Sequence, residues 1–227
     1  ASSLGEISGP VRFGVIGTTG RWLVPMLLSQ LADQHPKVKL VVVDATTTSL
    51  LPQLASGTLD LAIVNLPAEN PDVDAEPLFD EEHVLLLTKE HELADRKRIA
   101  LGDLGDVPLL LEPPGTGFRD DLETDARRAG VTLTPQAEVD GMRLLASLAY
   151  QGYGAAILPA SAVVEWSDGT WTAVPLEGTT PRCVGLATPR RGHQSAPTRA
   201  TIDVLRTLIS DAVPHRQGLR LPTGGAA

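Results

Sequence analysis

The sequence predicts an α/β protein of two lobes, and three observations carry that prediction. Apolar runs alternate with helix-patterned segments from residue 11 to residue 64, at roughly 20 residues per unit, which is the βαβαβ rhythm of a parallel sheet with right-handed crossovers. A second series of strand and helix patterns begins at Val107. In both series the stretches that leave the strands carry glycine and threonine: Gly17-Thr18-Thr19-Gly20, Thr46-Thr47-Thr48 and Gly115-Thr116-Gly117.

Taken in order, residues 1–10 read as the end of a linker. Residues 11–16 are rich in β-branched side chains and read as a buried strand. Leu23, Leu27 and Leu31 recur every four residues and mark one helix face after the turn at Gly17–Gly20. His35-Pro36 stops that helix, because proline disfavours helix in the residue before it. Residues 38–44 form the second strand. Thr48 is placed to cap a helix carrying Leu51 and Leu54 and ending at Gly57. Residues 59–64 form the third strand, with Asn65 in its exit loop. The Pro-, Asp- and Glu-rich stretch 67–77 reads as a loop, 83–88 as a buried strand, and 89–98 as a charge-mixed surface segment at the lobe boundary.

In the second series, residues 107–112 are a strand and 113–117 its exit loop. The helix from Phe118 to Ala129 has acids first and arginines last, which matches the helix dipole. Residues 134–139 are a strand, and Asp140 is placed to cap a helix in which Leu144, Leu145 and Leu148 share a face. Gly154 to Leu158 is a strand, with a short helix from Pro159 and a turn at Asp168-Gly169 between Trp166 and Trp171. Strands at 171–176 and 182–188 follow. A last helix starts at Ser195 and Pro197, buries Ile202, Leu205 and Leu208, and ends at Pro214; residues 213–227 read as a loose tail.

Composition narrows the function. The chain has 227 residues, enough for one large domain or two lobes of about 100 residues. The formal charge of −9 argues against this chain itself gripping nucleic acid or an anionic membrane. No segment approaches the roughly 18 apolar residues of a membrane span, and the N-terminus does not read as a signal peptide. The single cysteine, Cys183, forbids an internal disulfide, fits a reducing compartment, and sits in an apolar run as a small hydrophobe would. The five histidines are scattered. No nucleophile elbow, Walker loop or metal spacing occurs, so no catalytic constellation and no metal site is expected.

The exit stretches are the candidate site. Gly14, Gly17 and Gly20 give G-x-x-G-x-x-G with Asp44 ending the next strand, which admits a dinucleotide reading, but Leu23 stands where a third glycine is wanted. A small-ligand site at a strand exit and a plain structural turn are the other readings. Two adjacent threonine hydroxyls both donate and accept, and the helix N-terminus adds positive potential. Thr46, Thr47 and Asn65 leave the next two strands, so parallel-sheet geometry brings them to the same edge, although caps and turns explain such residues equally well. Arg119 and Arg143, at helix starts, are candidate carboxylate partners or solvated surface groups.

Several segments, in this order and spacing, resemble one family. They are Gly9-Pro10-Val11-Arg12-Phe13-Gly14-Val15; Pro25-Met26-Leu27-Leu28 with Leu31, His35-Pro36 and Val38; Leu54-Ala55-Ser56-Gly57-Thr58-Leu59-Asp60-Leu61-Ala62-Ile63, the most specific; Leu85 to His91 with Leu93-Ala94; and Gly152-Tyr153-Gly154 through Leu158-Pro159. Over nearly the whole chain they resemble the effector domain of LysR-type transcriptional regulators. The resemblance implies a two-lobed, type 2 periplasmic-binding-protein-like fold, each lobe a mostly parallel sheet flanked by helices, joined by two crossing segments. These would lie near Thr88 and Gly185, giving a first lobe of residues 11–87 plus 186–212 and a second of 89–184. It implies a non-enzymatic, cytoplasmic ligand sensor without cofactor, holding a small effector such as a carboxylate in the inter-lobe cleft. The contacts implied are Thr18, Thr19, Gly20, Thr46, Asn65 and Thr116, with Asp140 and Met142 at the start of the following helix. It further implies a homodimer or tetramer, pairing the first helix with a partner's second lobe, and DNA contact only through an N-terminal winged helix-turn-helix that this sequence does not carry. The rival functions are an NAD(P)-dependent enzyme and a stand-alone solute-binding protein.

Overall fold

The computed structural model describes residues 6–164 and 168–223. The chain folds as two units, the first from residues 1–80 and 183–227, the second from residues 81–182. The elements run β1 (Ser8–Val15), α1 (Gly17–Gln34), β2 (Lys37–Asp44), α2 (Thr47–Ala55), β3 (Leu61–Leu66) and β4 (Val73–Glu81). They continue with β5 (His83–Thr88), β6 (Ile99–Ala100), β7 (Pro108–Leu111), α3 (Gly117–Arg128), β8 (Thr134–Glu138), α4 (Met142–Tyr150), β9 (Ala155–Pro159) and β10 (Trp171–Glu177). The last are β11 (Arg182–Pro189), α5 (Ala196–Ala212) and β12 (Leu219–Arg220).

The first unit is built on a six-stranded sheet of order β12-β4-β11-β3-β1-β2. β1 pairs in parallel with β2 along its whole length and with β3 from Phe13–Leu61 to Val15–Ile63; β11 runs antiparallel to β3. Leu23, Leu27 and Leu31 of α1 are buried, as the four-residue spacing requires. Leu50 and Leu54 of α2 are fully buried. Gly14 makes room for α2 and the turn before β3: a Cβ there would lie 2.7 Å from Leu50 Cδ2 and 2.8 Å from Leu59 Cδ1.

The second unit repeats the plan with the sheet order β6-β10-β5-β9-β7-β8. β7 is parallel to β8 and β9, and β5 is antiparallel to β9 and β10. Its core gathers Leu85, Leu87, Leu109, Leu111, Leu122, Ala126, Ile157 and Val174. Each unit therefore has three neighbouring parallel strands whose C-terminal ends share one edge: β2-β1-β3 in the first and β8-β7-β9 in the second.

Several sequence expectations change. The chain passes between the units at Asp80/Glu81, earlier than the crossing expected near Thr88, and at Arg182/Cys183, close to the one expected near Gly185. Consequently β5 belongs to the second unit's sheet; an all-apolar run fits the middle of either sheet equally well. Residues 67–77 are only partly loop, because β4 starts at Val73; its Val73, Leu78 and Phe79 are buried, and the intervening acids masked that pattern. The linker remnant is shorter, since β1 starts at Ser8, and the tail is not wholly loose, since Leu219 is buried in β12. Thr46, not Thr48, caps α2. Asp140 does not cap α4; Gly141 does, at φ +135°, a conformation that an L side chain rarely adopts. Leu144 is exposed, so α4 buries Leu145, Ala146 and Ala149 instead. Trp166 lies outside the described residues.

Candidate functional site

In the first unit α1 begins at Gly17, directly after β1, so Gly17 to Gly20 are its first turn rather than a loop. Its N-cap, Ile16, offers no side-chain oxygen. The first helical N–H groups therefore lack intrahelical acceptors and present the positive end of the helix dipole. Thr18 is buried. Thr19 is fully buried, and its Oγ1 has no hydrogen-bond partner. Gly20 seats the helix on β1: its N–H donates to Ile16 O at 2.9 Å, and a Cβ would lie 3.0 Å from Val15 Cγ1. Packing thus accounts for Gly14 and Gly20, two of the three glycines that suggested a dinucleotide loop.

Thr46 leaves β2 and spends its hydroxyl on α2. Its Oγ1 accepts from Ser49 N at 3.3 Å and donates to Ser49 Oγ at 3.2 Å. The neighbouring Thr47, which sequence reading ranked below Thr46, reaches β3: Asn65 N donates to Thr47 Oγ1 at 3.0 Å. That bond fixes the end of β3, where the Asn65 Oδ1 is buried without a partner. Thr18, Thr46 and Asn65 are therefore brought to the C-terminal edge of three adjacent parallel strands.

In the second unit Thr116 is the N-cap of α3, but its hydroxyl donates backwards to Pro113 O at 3.0 Å and caps nothing. Asp120 instead accepts from Gly115 N at 3.0 Å. Glu112, missed by the sequence reading, is half-buried at the end of β7. Burial holds its carboxyl above the usual range and the charge of Asp140 adds to this, while the nearby Thr116 hydroxyl opposes it, as desolvation and a like charge both disfavour the ionised form. Asp140 is exposed and Met142 half-buried at the exit of β8. Arg119 is buried and committed: it donates to Glu123 at 2.7 Å, to Glu112 O at 2.7 Å and to Glu138 at 3.3 Å. It is a strut rather than a waiting cation. Arg143 is exposed. Ser161, after β9, has its Oγ buried without a partner.

Thr19, Asn65 and Ser161 all lie at strand exits, and each carries a buried side-chain oxygen left unpaired, where nearly all such groups in folded proteins are satisfied. Among the described residues, no group of three or more His, Cys, Asp or Glu could hold a metal ion. Among the same residues, no helix is long and apolar enough to cross a membrane.

The sequence profile of the LysR substrate binding domain matches residues 4–210. The chain belongs to this family. It is 36% identical over 169 residues to a probable hydrogen peroxide-inducible genes activator of Mycobacterium avium, covering 72% of this chain and 53% of that protein. It is 34% identical over 164 residues to the hydrogen peroxide-inducible genes activator of Pectobacterium carotovorum, covering 72% and 54%. The chain thus spans about half the length of the curated relatives it matches. The reduced form of the OxyR regulatory domain from Pseudomonas aeruginosa superposes with a TM-score of 0.75 at 28% identity, covering 90% of this chain and 98% of that one. The effector binding domain of QuiR in complex with shikimate superposes with a TM-score of 0.78 at 22% identity, covering 90% and 99%, and speaks for the fold alone. The fold is that of LysR regulatory domains, the type 2 periplasmic-binding-protein-like fold.

Proposed function

We propose that this chain is the ligand-sensing domain of a cytoplasmic transcription regulator, not an enzyme. It would hold a small-molecule effector at its strand-exit edges and act on DNA through a winged helix-turn-helix elsewhere in the protein. Family membership supports the reading, and the observation that carries it is the gathering of Thr18, Thr46 and Asn65, the last with an unpaired buried Oδ1, at the C-terminal edge of three parallel strands. The contacts proposed are Thr18, Thr46 and Asn65 with the first N–H groups of α1, and Thr116, Asp140 and Met142 from the second unit. Thr19 contributes its backbone and, if the first turn of α1 opens, its hydroxyl. An anionic oxygen such as that of a carboxylate suits the α1 N-terminus.

The relatives' names raise a second reading, a thiol response to peroxide. Against it, this chain has one cysteine, so no disulfide can form within it. Burial raises the Cys183 thiol above its ordinary value, and Asp80 adds to this by its charge and a hydrogen bond. Both starve the sulfur of the reactive thiolate. A thermal-shift screen of small carboxylates and their amides separates the readings. Our reading expects at least one compound to raise the melting temperature saturably, while dilute hydrogen peroxide leaves it unchanged. Peroxide response without any ligand response would reverse the order.

The same proposal includes a homodimer. Leu28, Val41 and Val42 of the first unit are exposed, and so are Leu144 and Tyr153 of the second. Exposed Lys37 and Lys39 lie along the edge strand β2, and exposed Glu138 along the edge strand β8. Lys37 is paired with Glu6 and Glu138 with Arg119 within the chain, so a head-to-tail two-fold rests on the exposed apolar side chains rather than on these charges. Light scattering at tens of micromolar should give twice the chain mass; a monomer mass there counts against this pairing.

A further inference from the structure

The second unit gathers four ionisable side chains near the points where the chain enters and leaves it: Glu81, His83 and Asp125 are buried, and Arg182 is mostly buried. Glu81 is fully buried, and both its oxygens are occupied. Oε1 accepts from Ser161 N at 2.6 Å, and Oε2 accepts from the Arg182 Nε at 3.0 Å and its Nη2 at 2.5 Å. Glu81 is the first residue of the unit and Arg182 its last, so the pair joins the two places where the chain enters and leaves, 101 residues apart in sequence. The turn before Arg182 is held as firmly. Asp125 Oδ2 accepts from Thr180 N at 2.7 Å, and Oδ1 accepts from Thr180 Oγ1 at 2.8 Å and Arg128 Nη1 at 2.9 Å. His83 Nδ1 and Thr179 Oγ1 are 3.1 Å apart.

A buried ion pair is costly to desolvate, and an apolar pair of similar volume is often at least as stable. Its presence at both ends of the unit, with every carboxylate oxygen satisfied, therefore asks for a role beyond stability. Asp125 sits on α3, the helix whose first turn follows Thr116.

We propose that Glu81, Arg182 and Asp125 form a clamp that fuses the entering segment, the leaving segment and α3 into one cooperative piece. Resting on the effector reading above, a contact made at Thr116 is then delivered through α3 to both crossing points at once. The groups described around the clamp include Arg128 on Asp125, Ser161 on Glu81, and Thr179 and Phe118 on His83, whose ring centroid lies 5.4 Å from that of Phe118.

Hydrogen exchange on the ligand-free chain tests the clamp without needing the effector, so its failure is separate from failure of the effector reading. Asp125→Asn and Glu81→Gln, which share no direct bond, should each speed exchange several-fold in all three segments, 79–84, 118–128 and 179–184. Segment 37–44 of β2 should not respond. The double variant should speed exchange by clearly less than the product of the two single factors, because the two carboxylates are coupled through residues 180–182. Effects confined to each residue's own contacts, or single factors that multiply in the double, would overturn the clamp. Thr180→Val is the milder check if Glu81→Gln does not fold: it should speed exchange at 79–84, a segment remote from Thr180 in sequence, and unchanged exchange there overturns the proposal as well.

Discussion

Thr19→Val is the substitution on which burial and site reading pull in different directions. Thr19 is fully buried, and its Oγ1 has no partner. Valine keeps the β-branched shape and replaces the hydroxyl with a methyl group. A buried polar group left unpaired costs about 1–3 kcal/mol, and the helix propensities of the two residues are nearly equal. The variant should therefore be more stable by about 1–3 kcal/mol. For a chain of this size each kcal/mol moves the melting temperature by roughly 2–4 °C, so a rise of about 2–12 °C is expected in the transition of the first unit. Urea unfolding followed by circular dichroism measures it, with midpoint rising and slope unchanged. A loss of stability would refute the reasoning, because it would mean that the hydroxyl has a partner, such as an ordered water. Effector affinity in the same variant then reports whether the hydroxyl is ever released: unchanged affinity leaves Thr19 a packing residue, and weakened affinity means that the first turn of α1 opens on binding.

Acid should destabilise the second unit through His83. Burial first, and the neighbouring Arg182 charge second, lower its pKa from 6.5 to about 4, against the opposing charges of Glu81 and Asp125. The unfolded chain takes up this proton first, so the stability is intact above about pH 6.5 and is lost as pH falls towards 4, about 2 kcal/mol by pH 5 and about 3 kcal/mol by pH 4. Glu112 and Asp121, whose carboxyls are raised by burial, act in the opposite sense. Comparing wild type with His83→Gln by denaturant unfolding at pH 7.5 and 5 isolates the histidine; equal losses in both would refute the assignment. The methyl of Gly14→Ala would sit 2.7 Å from Leu50 and 2.8 Å from Leu59. Such overpacking should cost about 1–3 kcal/mol; a melting temperature indistinguishable from wild type would show that α2 can withdraw freely.

The periodic parts of the fold were legible in the sequence. Leu23, Leu27 and Leu31 lie on the buried face of α1, and the βαβαβ order became β1 to β3 with parallel pairing. What was illegible depended on tertiary partners. The strand β4 is hidden by its proline and acids, because only Val73, Leu78, Phe79 and Glu81 are buried once sheet neighbours are in place. The place of β5 could not be read from an apolar run that suits either sheet. At the site, sequence located the strand exits but not what each hydroxyl does there: Thr46 is engaged by Ser49, Thr116 by Pro113, and Arg119 by two carboxylates. The Glu81–Arg182 pair spans the whole second unit, so no local spacing announces it.

The central claim, that a small molecule is sensed at the strand exits, is tested most directly by titration calorimetry with the compound found by thermal shift, on wild type, Asn65→Leu and Thr116→Val. Each lost hydrogen bond should cost roughly 0.5–1.5 kcal/mol, or up to about 3 kcal/mol where the ligand group is charged. The account predicts one saturable site per chain, weakened several-fold to over a hundred-fold in each variant, with both variants still folded by circular dichroism. Binding of equal strength in both variants would place the ligand elsewhere and leave these residues as caps and turns.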